Sequence, residues 1–510
     1  MYLALTAWSV FESVLCTAVI FGWAQLVEIL ENEQYFLSYC EHEAKSNVTI
    51  LPVNTNKSFE HVNTHTCTKQ DGVLRMAYTT SVFACFASIF LSGKYLDMFG
   101  FRKTRLLASF IYLLAGLAMF VSTYGIHEML FPGLLLTVIG GGSFISILVK
   151  VCGILPHRRY TAISVVNGAI DSSAVMFLLF KLCYNAGISF RTVVIVYYSF
   201  VFGQGMLFTF TIFPKDLPKT KETIENSESD KNYSGSSISA NNGSEADSES
   251  QLKNENVSTE TSEKMKENDL DYISIQENDE KISLLFIIKS PKFIFHTCFV
   301  SISSLRSFAF VGMINTTLKR LTNDEKKVDF YLTILGLIQF CGIVLAFIPG
   351  FLLDWSPAGK HRSFSIILSF ILTATMSILL TIGLLIPVLE LQIFNFFLYT
   401  IMRSFLYSTH GSFIIKDFPL YHAGALFGLS LLVSAVASLF QMLMFSLMEG
   451  PYNGDPTWVN VGLLVTQILV LVHPVYLWKC SKYEKKCDDH NIQELKTEAK
   501  IKNKNTSSKL

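Results

Sequence analysis

Long apolar stretches alternate with short polar ones along most of the 510-residue chain. A helix needs about 20 apolar residues to cross a bilayer core about 30 Å thick. Stretches of that length recur twelve times. The first six are Leu3–Leu30, Gly72–Ser92, Thr104–Ser122, Leu130–Val151, Tyr160–Leu182 and Thr192–Phe213. The second six are Phe293–Thr316, Val328–Phe351, Ser363–Ile386, Leu391–Ile415, Ala423–Leu447 and Val459–Trp478. The pattern predicts an all-α polytopic membrane protein of two pseudo-symmetric six-helix bundles, residues 1–213 and 289–478, with a tail at 479–510. No Lys or Arg precedes the first stretch, which is too long for a signal-peptide core and has no small-residue cleavage site after it. It is expected to stay in place as the first membrane helix.

Residues 214–288, between the bundles, are rich in Ser, Asn, Glu, Asp and Lys and are expected to be disordered. Elsewhere charge is scarce. The chain is 50% hydrophobic and 16% charged, with mean hydropathy +0.39, whereas soluble domains average about 25% charged residues. That excludes a soluble enzyme or a disordered scaffold. A formal net charge of +0 gives no bias toward nucleic acid.

The short loops set the orientation, because Lys and Arg concentrate on the cytoplasmic side. Lys94, Arg102, Lys103 and Arg105 follow span two, His157, Arg158 and Arg159 follow span four, Lys360, His361 and Arg362 follow span eight, and Lys479, Lys482, Lys485 and Lys486 open the tail. All fall on one side, which places both termini and the middle segment in the cytoplasm. Lys319, Arg320, Lys326 and Lys327 are the exception, on the outer side. The first outer loop, residues 31–71, carries glycosylation sequons at Asn47 and Asn56, together with Cys40 and Cys67, which can pair in an oxidising compartment.

The two halves repeat one feature at matching places. Gly93-Lys-Tyr-Leu-Asp97-Met-Phe-Gly100-Phe-Arg102 follows span two, and Gly350-Phe-Leu-Leu-Asp354 follows span eight. Glycine allows close helix approach. An aspartate there can accept hydrogen bonds from a neighbouring helix N-terminus, and arginine can pair with it. Such contacts would lock one side of a two-bundle protein. Gly93, Asp97, Gly100, Arg102, Gly350 and Asp354 are therefore candidate gating residues; the alternative is a tight loop with solvated charges.

This element in a six-plus-six layout resembles the major facilitator superfamily. Met98 and Phe101 stand where that pattern has basic residues, which implies a thinner ionic network. A narrower resemblance rests on Phe21-Gly-Trp23, Asn32-Glu33, Asn167-Gly-Ala-Ile-Asp171-Ser-Ser173, Lys181-Leu-Cys-Tyr184, Gly187-Ile-Ser189 and Arg403-Ser-Phe-Leu-Tyr407. Phe418-Pro419, His422, Leu426-Phe-Gly428 and Gly454-Asp-Pro-Thr-Trp-Val-Asn460 extend it. These segments are similar to the small solute-carrier family of the equilibrative nucleobase transporter and the sodium-independent L-type large neutral amino acid transporters. The resemblance implies facilitated diffusion of a small organic solute across the plasma membrane, without ATP or a sodium gradient. The absence of a phosphate-binding Gly-x-x-x-x-Gly-Lys-Ser/Thr loop agrees with that.

Ionisable residues inside a span are costly and commonly face a cavity or a partner. Five stand out: Glu12, Lys150, Asp171, Arg306 and Arg403, in spans one, four, five, seven and ten. In the superfamily, spans one, four, seven and ten line the central cavity and span five flanks it. Lys150 is close enough to the cytoplasmic end to snorkel. Asp171 and Arg403 are nearly central, as substrate contacts or as an ion pair that fixes helix register. Asn167, Gln339, Asn395 and Gln441 are polar companions whose alternative use is interhelical hydrogen bonding. Gly140, Gly141 and Gly142 within span four permit close packing or bending. His296, His410 and His422 look isolated, with no triad or metal-ligand spacing, and no catalytic residue, cofactor or metal is expected. The expected partners are a small-molecule substrate and the lipid bilayer.

Two substrates compete. A purine base suits aromatic stacking, with Asp171 accepting ring N–H groups and an arginine donating bidentately. A zwitterionic amino acid needs a cation and an anion, which Arg403 or Arg306 with Glu12 would supply. The segments around Asp171 and Arg403 resemble the nucleobase branch; Leu305-Arg306 and Trp458-Val-Asn460 resemble the amino-acid branch. The sequence leans toward purine bases carried by alternating access. The contrasting reading is a non-transporting membrane scaffold or receptor.

Overall fold

The computed structural model describes residues 2–38, 68–152, 159–211, 283–322, 324–355, 363–452 and 454–482. Asn47, Asn56, Cys40 and Cys67 lie outside the described residues, as do the side chains of Asp97 and Lys150. Every regular element among the described residues is helical.

Among the described residues nine helices are long and apolar enough to cross a membrane, and two bent helix pairs raise the number to eleven. The remaining expected span is the 27-residue helix Leu391–Asp417. Gln392, Asn395, Arg403 and His410 lower its hydropathy, but all four are buried against other helices. A bilayer-crossing helix can carry polar residues wherever protein shields them from lipid.

Among the described residues five expected spans are interrupted: spans eleven and twelve break at Leu439 and after Leu469, and spans one, five and eight as follows. Span one is not one continuous helix: Tyr2–Cys16 and Trp23–Asn32 are separated by the 3-10 turn Val19–Gly22 and bent by 50°. Span eight divides into Glu325–Phe340 and Gly342–Asp354 with a 43° bend. Span five breaks between Arg159–Ser172 and Val175–Asn185. No proline sits at the breaks of spans one and five, where the side-chain insertions described below act; in span eight Pro349 lies just beyond a further break at Ala346. Spans two and three, by contrast, run as one helical stretch, Thr68–Ser122, turning at Gly100 (φ 78°, ψ 176°). That backbone is accessible only to glycine, so the motif glycine makes a tight reversal at the end of the bundle.

Ends of helices follow local chemistry. Span seven, Pro291–Leu321, begins with Pro291 in its first turn behind Ser290, whose hydroxyl accepts from the Phe293 N–H at 3.3 Å. Asp324 caps Glu325–Phe340 by accepting from the Lys326 N–H at 3.0 Å. The segment read as disordered, 214–288, is not wholly so. Its last residues form a short helix, Leu284–Ile288, that packs Ile287 against Phe293 and Ile414.

The span-four glycines serve packing. A Cβ on Gly141 would sit 2.0 Å from the Thr17 carbonyl oxygen, one on Gly140 2.6 Å from the Tyr112 ring, and one on Gly142 2.1 Å from the Ser88 hydroxyl. Gly141→Ala is therefore expected to destabilise by about 1–3 kcal/mol, seen as a lower melting temperature in detergent. Gly203→Ala, on an open helix face, should be neutral or stabilising by up to about 1 kcal/mol.

Candidate substrate site

The breaks in spans one, five and eight meet at one place. Ser173 Oγ accepts from the Ala18 N–H at 3.0 Å, and Ser172 Oγ accepts from the Ile343 N–H at 3.1 Å. Ser172 Oγ is also 2.9 Å from the Phe340 carbonyl oxygen. Two adjacent serines thus satisfy backbone groups that the breaks in the neighbouring spans leave open, which in lipid would otherwise cost several kcal/mol each. Small residues allow the approach. A Cβ on Gly22 would lie 2.3 Å from the Ala174 carbonyl oxygen, and one on Gly168 2.4 Å from the Ala346 side chain. The Asn167–Ser173 segment is the junction of all three breaks.

Asp171 stands next to this junction and pairs with Arg403 across the two halves. Arg403 Nη2 lies 2.5 Å from Asp171 Oδ1, and Nη1 donates to the Tyr399 hydroxyl at 2.8 Å. The guanidinium carbon sits 3.7 Å from the centre of the Phe21 ring, presented by the 3-10 turn of span one. Tyr399 and Tyr407, one turn before and after Arg403, flank it at 5.7 and 5.6 Å. Beyond them, Phe310 stacks on Tyr399 at 4.3 Å, Phe308 faces Phe21 at 5.9 Å, and Phe86 faces Tyr407 at 6.2 Å. Asp171 Oδ2 has no hydrogen-bonding partner among the described residues. The result is an ion pair inside an aromatic box, with one carboxylate oxygen left over. Gln339 closes the box, its Nε2 donating to the Phe21 carbonyl at 3.3 Å. Asn167, one turn before Asp171, is 9% exposed.

Glu12 is elsewhere. Both its oxygens are held by Arg105, at 2.6 and 2.7 Å, and both residues are wholly buried. Arg105 also reaches Thr209 at 3.2 Å, so this pair ties spans one, three and six within the N-terminal half. Arg105 is thus not a loop cation as its place in the basic cluster suggested. Arg306 donates through Nε to Thr381 Oγ1 at 2.9 Å and is not paired with Glu12. Asn395 and Gln441 bond within their own helices, to Gln392 and Ser438. His296 and His410 are not isolated: their rings share a hydrogen bond of 2.9 Å, with His473 alongside.

The gating candidates divide. Asp354 accepts from the Thr161 N–H at 3.2 Å and from its hydroxyl, at the N-terminus of span five in the other half. A Cβ on Gly350 would meet Thr161 Cα at 3.0 Å, so this glycine lets spans five and eight approach closely beside the Asp354 contact. Gly93 has open space around it. There the close approach belongs to Gly428, where a Cβ would touch Phe90 at 2.9 Å. Arg102 lies two residues past the turn at Gly100, on the span-three side of the reversal.

A second set of links joins the halves at the opposite end, and sequence reasoning missed it. Lys181, 1% exposed, bridges Glu28 at 2.8 Å and Asp329 at 2.5 Å. Arg75 meets Glu449 at 2.8 Å, and Gln25 donates to the Leu332 carbonyl at 2.9 Å. Lys319 pairs with Glu31 at 2.7 Å and Arg320 with Asp455 at 3.0 Å, so two of the four cations that broke the charge rule have anionic partners at their own end. The Thr457 hydroxyl, with its backbone N–H and Arg320 beside it, holds the Asp455 carboxyl below its ordinary range. The signal available was Lys181 itself, a cation within an apolar span.

The family profile of the Major Facilitator Superfamily matches residues 67–442. The chain belongs to this superfamily. It is a multi-pass membrane transporter of small molecules and not an enzyme. Among similar proteins, equilibrative nucleobase transporter 1 of Bos taurus is 27% identical, over 89% of this chain and 91% of the relative. Large neutral amino acids transporter small subunit 3 of Mus musculus is 26% identical, over 94% and 93%. The solved structure of the proton:xylose symporter XylE shares the fold, with TM-score 0.58 over 94% of this chain and 96% of XylE at 12% identity.

Two outcomes follow from the geometry. Glu12→Gln leaves the Arg105 guanidinium buried without its counter-charge and is expected to destabilise by about 3–5 kcal/mol, measured as a drop in melting temperature and surface expression. Asp354→Ala removes the Thr161 contact; a cysteine at Ile163 should then react faster with a membrane-impermeant thiol reagent applied from the motif end.

Proposed function

We propose that the chain carries out facilitative, sodium-independent transport of purine nucleobases by alternating access. The observation that carries this reading is the Asp171–Arg403 pair held against Phe21, Tyr399 and Tyr407 between the two halves. A planar, uncharged base suits such a box. Its faces stack on aromatic rings, its ring N–H is a donor for Asp171 Oδ2, and its acceptors suit the guanidinium fork. Stacking of a base on an aromatic side chain is worth about 1–3 kcal/mol. Similarity to a transporter named for nucleobases supports the same reading. Contacts join the halves above, at and below the site, so transport proceeds by opening one set of end contacts at a time, with substrate shifting the balance through differential affinity.

The second reading is uniport of large neutral amino acids. Similarity to an amino-acid transporter favours it, as does Arg306, a buried cation with two unpartnered nitrogens that suit a carboxylate. We place both termini and the Asp354 end in the cytoplasm of a plasma-membrane protein, a proposal that the Lys and Arg of the short loops support. That orientation puts residues 31–71 outside, where Asn47 and Asn56 are glycosylation acceptors and Cys40 and Cys67 a candidate disulfide.

Initial uptake of labelled adenine and labelled leucine, in cells expressing the chain and with or without sodium, tests both. Saturable, sodium-independent adenine uptake is expected. Asp171→Asn at equal surface expression should lower it about ten- to a hundredfold, the loss of one charge-assisted hydrogen bond. Leucine uptake with adenine at background would reject the nucleobase reading.

A further inference from the structure

We infer that Arg306 is the centre of an anion site in the C-terminal half, which takes one monovalent anion such as chloride or a carboxylate. Arg306 is 0% exposed, at the middle of the helix Pro291–Leu321. Its Nε is spent on Thr381 Oγ1, and Thr381 gives its own proton to the Ser377 carbonyl at 2.8 Å. Thr381 therefore holds the guanidinium by accepting from it and brings no charge. Nη1 and Nη2 have no hydrogen-bonding partner among the described residues.

The other deeply buried cations are treated differently. Arg105 has Glu12, Lys181 has Glu28 and Asp329, and Arg403 has Asp171. No such carboxylate pair forms at Arg306 among the described residues. A guanidinium stays charged at neutral pH, so it cannot escape burial by losing its proton, and an uncompensated charge in a dry core is strongly unfavourable. A bound anion completes the arrangement, accepting from the parallel Nη1 and Nη2 fork that matches a carboxylate or cradles a halide. One fixed positive charge calls for one negative charge, which excludes a phosphate dianion. The site lies beside the central one: Phe310, one turn beyond Arg306 on the same helix, stacks on Tyr399, whose hydroxyl accepts from Arg403. The anion is either taken from solution or carried by the solute itself. The inference does not depend on the nucleobase reading.

The test uses purified full-length chain in detergent, exchanged into a buffer of gluconate, a bulky and strongly hydrated reference anion. Melting temperature is followed while gluconate is replaced by chloride, bromide or acetate at constant ionic strength, and separately on adding leucine. A saturable rise of a few degrees is expected. Chloride and bromide acting alone identify a solution anion; leucine acting at concentrations where chloride does not identifies a solute carboxylate. Arg306→Gln should abolish the rise and, in gluconate, melt no lower than the wild type, because it removes an unpaired charge. Thr381→Val, which frees the guanidinium from its anchor, should raise the half-saturating concentration. A flat wild-type response to all four ligands, or an undiminished response in Arg306→Gln, would overturn the proposal, and the wild-type titration decides it even where the variant fails to fold.

Discussion

A carboxylate and a guanidinium inside a hydrocarbon layer cost several kcal/mol each unless each meets the other. The Asp171–Arg403 contact meets that requirement with one partner from each half. The two bundles can therefore separate at this level only if something else takes over the hydrogen bonds. A solute that offers a donor to Asp171 and an acceptor to Arg403 does so; water in a narrow aromatic box does so less well. On the proposed reading, coupling between solute binding and rearrangement of the halves runs through this ion pair. The rings of Phe21, Tyr399 and Tyr407 give it shape selectivity without adding charge.

Backbone polarity is the second constraint. Three broken helices at mid-depth expose N–H and carbonyl groups that lipid cannot satisfy. Ser172 and Ser173 supply the missing partners for spans one and eight, and the same short segment presents Asp171. The breaks and the binding group are one construction. Movement of span five relative to span eight therefore alters both the backbone contacts and the position of the carboxylate.

Two buried acids of similar appearance do different work. Glu12 is saturated by Arg105 within one half, so its pair holds a bundle rigid. Asp171 keeps one oxygen unpartnered and its pair crosses between bundles, so it is available to a solute. At the two ends, polar contacts between halves differ in kind. The Asp354–Thr161 contact uses a helix N-terminus, whereas Lys181, Arg75 and Lys319 use direct ion pairs. Opposite ends are held by chemically distinct fastenings, which lets each be released without the other.

Hydrophobic runs of bilayer length determined the helical class, the approximate bounds of the spans and the polar segment dividing them, because a span's requirement for apolar residues is local. Of the paired Gly-x-x-x-Asp elements, the one at Gly350 and Asp354 marked an interface between halves, since glycine and aspartate have few other uses at a helix end in lipid. Asp171, Arg403 and Gln339 stood out because any polar group at mid-span needs a partner. Which partner it finds depends on helices far away in the chain, and only the tertiary structure decided that. Arg105 looked like a loop cation until its helix placed it against Glu12, and His296 and His410 became neighbours only when spans seven and ten packed together. The breaks in spans one and five left no proline in the sequence, because serine hydroxyls and close glycine contacts from neighbouring helices accompany them. Hydropathy is a property of a segment; pairing is a property of the fold.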